Sequence, residues 1–138
     1  KLFMERAFRP DVGAGFSYLR IPLGASDFSM DNFTLNDTPN NMPDPKLKHF
    51  DFSRMQRIVN LIKEAQVENP KLKFVLSPWT APVWMKTPQV WVGGTLNPQY
   101  YGAYARYLVR SLKEFKKQGI NINYLTILNE PYILTPMW

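Results

Sequence analysis

The tripeptide Asn129-Glu130-Pro131 follows directly on the apolar run Leu125-Thr126-Ile127-Leu128 and is the sharpest chemical signal in the sequence. A carboxyl group at the C-terminal end of a barrel strand points into the top-face cleft, where partial burial favours its protonated, donor form. Glu130 there suits a general acid, with Asn129 holding a substrate hydroxyl or orienting the carboxyl and Pro131 setting the turn out of the strand. The same three residues also suit a plain turn. Asp27, in Gly24-Ala25-Ser26-Asp27-Phe28-Ser29, stands just after another apolar run, where a short acidic side chain can bond sugar hydroxyls or simply close an Asx turn. A third block, Ser77-Pro78-Trp79-Thr80-Ala81-Pro82-Val83-Trp84-Met85-Lys86, sets two tryptophans between prolines, with Trp91 nearby. Stiffly held indoles stack on the apolar faces of sugar rings, and they also pack in cores.

Composition removes most other chemistries. The 138 residues contain no cysteine, so thiolate metal sites, cysteine nucleophiles and disulfides are excluded. One histidine, His49, is too few for an imidazole-based triad or zinc site, and reads as a surface loop residue. No metal or organic cofactor is expected. The 17 Lys and Arg outnumber the 11 Asp and Glu for a net charge of +6, yet the lysines alternate with acids on loops and polar helix faces. A solvated surface, and no nucleic-acid partner, follows from that mixing. No run reaches the ~18 apolar residues of a membrane span, and the first residues lack a signal-peptide apolar core. Asn32-Phe33-Thr34 and Asn36-Asp37-Thr38 match the glycosylation acceptor pattern, at a frequency close to chance.

Three β-branched apolar runs must position these groups: Ser17–Leu23, Lys73–Ser77 and Asn123–Leu128. Between the first two, Asp51 or Ser53 can cap a helix with Met55, Ile58, Val59, Ile62 and Ala65 on one face, ended by Asn69-Pro70. Between the second and third, Asn97 and Pro98 open a helix with Tyr104, Leu108, Leu112 and Phe115 on its buried stripe, stopped by Gly119. Strands alternating with crossover helices predict parallel neighbours and an α/β fold. Phosphate-binding glycine fingerprints are missing, and the long loops after the first two strands fit the top face of a (β/α)8 barrel better than a nucleotide-binding open sheet. Arg20 lies inside the first apolar run and needs a partner if it faces the barrel interior, in a structural ion pair or at the substrate site.

A closed barrel takes ~250 residues, so three strands make a part of one. Lys1 to Phe8 read as the tail of a helix, and the last residues run straight out of a strand-end motif. The expectation is therefore that residues 1–138 are a fragment of a single (β/α)8 catalytic domain whose other strands lie elsewhere.

Taken in order, Arg20 to Ser29, Ser77 to Thr87 and Asn129-Glu130-Pro131 resemble the glucosylceramidase-type glycoside hydrolases of family thirty, across essentially the whole chain. The resemblance implies a (β/α)8 TIM barrel with an added β-sandwich, of which this chain holds about strands two to four. It implies retaining hydrolysis of β-glucosides, whether glucosylceramide-like lipids or β-glucans, without cofactor and outside the cytoplasm. It assigns Glu130 as general acid/base, Asn129 to the sugar 2-hydroxyl, and Asp27 and Trp79 to the innermost sugar subsite; Trp84 matches a family position without an assigned contact. The family's nucleophile, a second glutamate near strand seven, lies beyond Trp138, so this chain alone is expected to be inactive. Two other readings remain at this point, a catalytically silent carbohydrate-binding piece and an endo-glycanase from another family of the same clan.

Overall fold

The computed structural model describes residues 1–131, and the segment following Pro131 lies outside them. Helix α1 (Leu2–Phe8) leads to strand β1 (Tyr18–Leu23), helix α2 (Gln56–Glu68) and strand β2 (Lys73–Pro78). A small hairpin of β3 (Lys86–Thr87) and β4 (Thr95–Leu96) precedes helix α3 (Tyr101–Lys117) and strand β5 (Tyr124–Leu125). β1, β2 and β5 form one parallel sheet in that order, so the strand–helix–strand–helix–strand rhythm read from the sequence is the architecture.

Period-two alternation decides which face of the sheet is covered. Leu19, Ile21 and Leu23 of β1 stand in register with Phe74, Leu76 and Pro78 of β2, and the apolar members of this face pack under the helices. α2 contributes Val59, Ile62 and Ala65; α3 contributes Ala103, Tyr104, Tyr107, Leu108 and Phe115. The stripe on α3 is wider than the period-based reading: Tyr107 and Ser111 are fully buried and Leu112 only partly. Ser111 is tolerated because its hydroxyl bonds the Tyr107 carbonyl one turn back, at 2.9 Å. The opposite sheet face carries Tyr18, Arg20, Val75, Ser77 and Thr126, and the rings of Tyr18 and Tyr124 stack at 6.0 Å while half-exposed.

The Asn97 amide oxygen accepts from the Gln99 N–H at 3.2 Å and caps the short helical turn ahead of α3, as expected. Neither Asp51 nor Ser53 caps α2, whose N-cap residue is Met55, without a side-chain cap; the Asp51 carboxylate instead accepts from the Ser53 N–H at 2.9 Å in the turn before it. Gly119 ends α3 with φ +80, the left-handed conformation that closes a helix C-terminus, and the Ile120 N–H returns to the Phe115 carbonyl. At the exit of β1, Gly24 has φ +87, and a Cβ there would lie 2.8 Å from the Phe33 carbonyl oxygen, so the chain turns away only because this residue lacks one.

Two departures concern the third strand and the loops. The regular ladder of β5 covers only Tyr124–Leu125, shorter than the expected run to Leu128. The backbone still follows β2, because the N–H groups of Asn123, Thr126 and Asn129 donate to the carbonyls of Phe74, Leu76 and Pro78. The β3–β4 hairpin was not legible, since two residue pairs are too few to produce an alternating pattern.

The loop after β1 is organised by a buried acid. Asp44 accepts from the Asn36 amide at 3.1 Å and from the His49 N–H at 2.8 Å, and faces the His49 ring nitrogen at 3.2 Å. His49 is thus half-exposed but tied to the loop, and Asn36, one of the two glycosylation-pattern asparagines, is fully buried. Burial opposes the Asp44 charge, yet the bonds from His49, Lys48 and Asn36 outweigh it and hold the carboxyl down at about 2, against an ordinary 3.8. The native state therefore prefers the ionised form, so this stabilisation is present above pH ~4 and fades as pH falls toward 2. Asp44→Asn is expected to cost about 1–3 kcal/mol at neutral pH and to flatten the loss of stability between pH 4 and 2, read by chemical denaturation across that range.

Candidate active site

The C-terminal ends of β1, β2 and β5 converge on one polar cluster. Arg20, from the middle of β1, donates through Nη2 to the Asn129 amide oxygen at 2.6 Å and to Ser77 Oγ at 2.9 Å. Ser77 Oγ and Thr126 Oγ1 are 2.6 Å apart. The Arg20 guanidinium lies over the Trp79 ring, 4.6 Å from its centroid. Arg20 is thus partnered, as its place in an apolar strand requires. Its partners are neutral oxygens and an aromatic face, and among the described residues it makes no ion pair.

This geometry brings together Trp79, Asn129 and Glu130, three of the four residues singled out in the sequence. With its amide oxygen accepting from Arg20, the Asn129 NH2 group has no acceptor among the described residues. One face of the Trp79 indole is taken by Arg20, while the residue also lines an adjoining cavity of about 520 Å³. That cavity runs past Thr80, Lys86, Tyr104, Leu128 and Glu130. Glu130 is the only carboxylate among the described residues that line it, and its side chain is exposed, so the burial expected of a proton donor is not supplied by residues 1–131. Its backbone has φ +44, a left-handed conformation costing a non-glycine residue ~1–2 kcal/mol, and such outliers collect at functional turns. Asp27 is not part of the cavity. It sits exposed in a tight turn over residues 26–29, closed by Ser29 N–H to the Ser26 carbonyl at 3.0 Å.

The two tryptophans of the aromatic block part ways. Trp84 is buried, donates its indole N–H to the Asn36 carbonyl at 3.1 Å and meets Tyr100 edge to face, which makes it core. Trp79 is half-buried at the cavity.

Sequence reasoning missed Lys86, which lines the cavity and is only 7% exposed. Its ammonium donates to Thr80 Oγ1 at 2.7 Å and to the carbonyls of Trp91 and Gly93 at 2.9 and 2.8 Å. All three N–H groups are used, so the side chain staples the loop beyond β3 to the end of β2; burial pushes its pKa down to about 8. Lys86→Met is expected to speed amide exchange in residues 88–94 about tenfold, the equivalent of ~1.4 kcal/mol of lost local stability, as read by hydrogen exchange. The only available signal was a lysine at the end of an otherwise apolar block.

A three-stranded parallel sheet with crossover helices, whose strand ends carry an Asn-Glu pair beside a half-buried tryptophan, has the layout of part of a (β/α)8 barrel with its site at the C-terminal face. The Glycosyl hydrolase family 30 TIM-barrel domain matches residues 1–135, and the chain belongs to that family. It is 36% identical to the provisionally named glucosylceramidase 1 of Caenorhabditis elegans, over 94% of this chain and 25% of that protein. It is 34% identical to an endo-1,6-β-D-glucanase of Trichoderma harzianum, over 87% of this chain and 27% of that protein. The solved structure of an endo-β1,6-glucanase superposes with a TM-score of 0.85 at 36% identity, covering 96% of this chain and 30% of that one. The chain thus spans about a quarter of the length of the curated relatives it matches. Family membership confirms the α/β, partial-barrel reading and disposes of the alternative from another family of the clan.

Proposed function

We propose that this chain forms about strands two to four of a retaining β-glycosidase acting on β-glucosides, with Glu130 as general acid/base and the nucleophilic carboxylate contributed by a part of the barrel outside it. The observation that carries the reading is Asn129-Glu130 in the segment that follows β5, with Asn129 bonded to Arg20 and Glu130 lining the Trp79 cavity. In this reading Glu130 protonates the leaving oxygen and then deprotonates the attacking water, while a second carboxylate ~5–5.5 Å away forms the glycosyl-enzyme bond. Asn129 donates its NH2 to the sugar 2-hydroxyl, Trp79 stacks on the ring, and Asp27 reaches the glycone from the loop after β1. Names among the relatives support both a glucosylceramide-like lipid and a β-1,6-glucan as substrates; an extracytoplasmic setting belongs to the same proposal.

The remaining strands of the barrel would cover what is open here. Those surfaces are the edges of the three-stranded sheet, the half-exposed Tyr18 and Tyr124, and an apolar groove of about 400 Å³ among Phe3, Phe8, Phe16, Ile58 and Leu61. No described helix is long and apolar enough to cross a membrane.

The test follows the anomeric product by NMR while the full-length protein cleaves an aryl β-glucoside. The β-anomer appearing first supports retention, and the α-anomer first overturns it. The purified 138-residue chain is expected to show no turnover; Glu130-dependent hydrolysis by it would sink the claim that the nucleophile lies elsewhere. A silent sugar-binding role is the second reading, favoured by Glu130 being the one carboxylate lining the cavity among the described residues. Sugar binding without any turnover by the full-length protein would select it.

A further inference from the structure

We propose that Tyr104 is a positioning residue for Glu130, its phenol fixing the point at which the chain leaves β5. The proposal rests on the acid/base reading of Glu130 and extends it to helix α3.

Beyond Leu125 the ladder of β5 is over, and the segment carrying Glu130 hangs on separate bonds. Two of them reach β2, from the N–H groups of Thr126 and Asn129 to the carbonyls of Leu76 and Pro78. Arg20 adds a third from β1, through the Asn129 side chain. Tyr104 is the anchor from the helix layer: its hydroxyl donates to the Ile127 carbonyl at 2.6 Å, three residues before Glu130. The ring is 5% exposed and lines the same cavity as Glu130. Burial pushes the phenol pKa up, so it remains a donor throughout the working pH range.

The neighbouring turn of α3 provides a matched control. Tyr107 stacks on Tyr104 at 6.0 Å between centroids with 14° between ring planes, and it is fully buried. Its hydroxyl accepts from the Leu35 N–H at 3.3 Å, in the loop after β1. The stack holds a phenylalanine ring at either position, so each Tyr→Phe change removes one oxygen and one hydrogen bond. Only the Tyr104 bond ends on the segment bearing Glu130.

The experiment compares Tyr104→Phe, Tyr107→Phe and Glu130→Gln in the full-length protein on two β-glucosides. One has a dinitrophenol leaving group, which departs without protonation; the other has an alkyl leaving group, which needs a proton. A displaced acid is expected to lower kcat/KM of Tyr104→Phe about tenfold on the alkyl glucoside and less than twofold on the dinitrophenyl glucoside. Tyr107→Phe should change neither by more than twofold, although both variants melt at a similarly lowered temperature. Equal losses on both substrates, or the same pattern in both tyrosine variants, would reduce Tyr104 to a structural contact and overturn the proposal. So would an unchanged Tyr104→Phe. If Glu130→Gln keeps its activity on the alkyl glucoside, the acid/base reading itself fails, an outcome distinct from a failure confined to Tyr104.

Discussion

Glu130→Gln is expected to lower kcat/KM for an alkyl β-glucoside by about 10²–10⁴-fold while leaving the folded structure and its melting temperature nearly unchanged. Glutamine keeps the size and one hydrogen-bonding oxygen of the side chain but cannot deliver a proton, and general acid catalysis contributes a factor of that order. The small structural effect follows from position. Glu130 is exposed, so replacing it removes little packing. Its left-handed backbone is equally strained with either side chain. In the proposed reaction the second half needs Glu130 as base, so added azide, a nucleophile that needs no deprotonation, should restore turnover of a dinitrophenyl glucoside and give a β-glucosyl azide. An alkyl-glucoside rate within threefold of wild type would remove Glu130 from the chemistry.

Arg20→Met is the second large effect, and it acts on fold and site together. Arg20 ties β1 to β2 through Ser77 and to the end of β5 through Asn129, and it covers one face of Trp79. Methionine keeps the volume of the stem but deprives the Asn129 and Ser77 oxygens of their charged donor. A hydrogen bond to a charged group contributes ~1.5–3 kcal/mol, so a stability loss of that size and a drop in kcat/KM of about 10–10²-fold are expected. Chemical denaturation and steady-state kinetics on the full-length protein separate the two. Arg20→Lys should recover only part of either, because an ammonium can bond the two oxygens that Nη2 bonds but has no planar face to lay on the Trp79 indole. A kcat/KM that survives Arg20→Met within twofold would show that Asn129 holds its orientation without Arg20.

Much of this protein is written locally. Parallel strands at Tyr18, Lys73 and Tyr124, the helices between them, the stop at Gly119 and the Asn-Glu pair at a strand end all follow from periodicity, caps and motifs within a few residues of one another. Those features depend on backbone geometry that repeats every two or 3.6 residues, and a linear text records such repeats. The resemblance of three blocks to family thirty added the expected roles of Glu130, Asn129, Asp27 and Trp79, which the proposal adopts and periodicity alone does not carry.

Only the tertiary structure decided which of those residues meet. Arg20 and Asn129 are 109 positions apart, and no local pattern pairs them; the register of β1 on β2 and the path of β5 along β2 do. The same holds for the phenol of Tyr104 on the Ile127 carbonyl, for Trp84 going to the core while Trp79 stays at the cavity, and for Asp27 standing apart on its turn. Lys86 shows the reason in its simplest form. In the sequence it is one lysine among many, and its three partners are a hydroxyl and two backbone carbonyls, groups that every sequence contains. Side-chain type and spacing determined the elements and the candidate chemistry; close packing of those elements, which puts distant polar atoms within 3 Å, selected the partners.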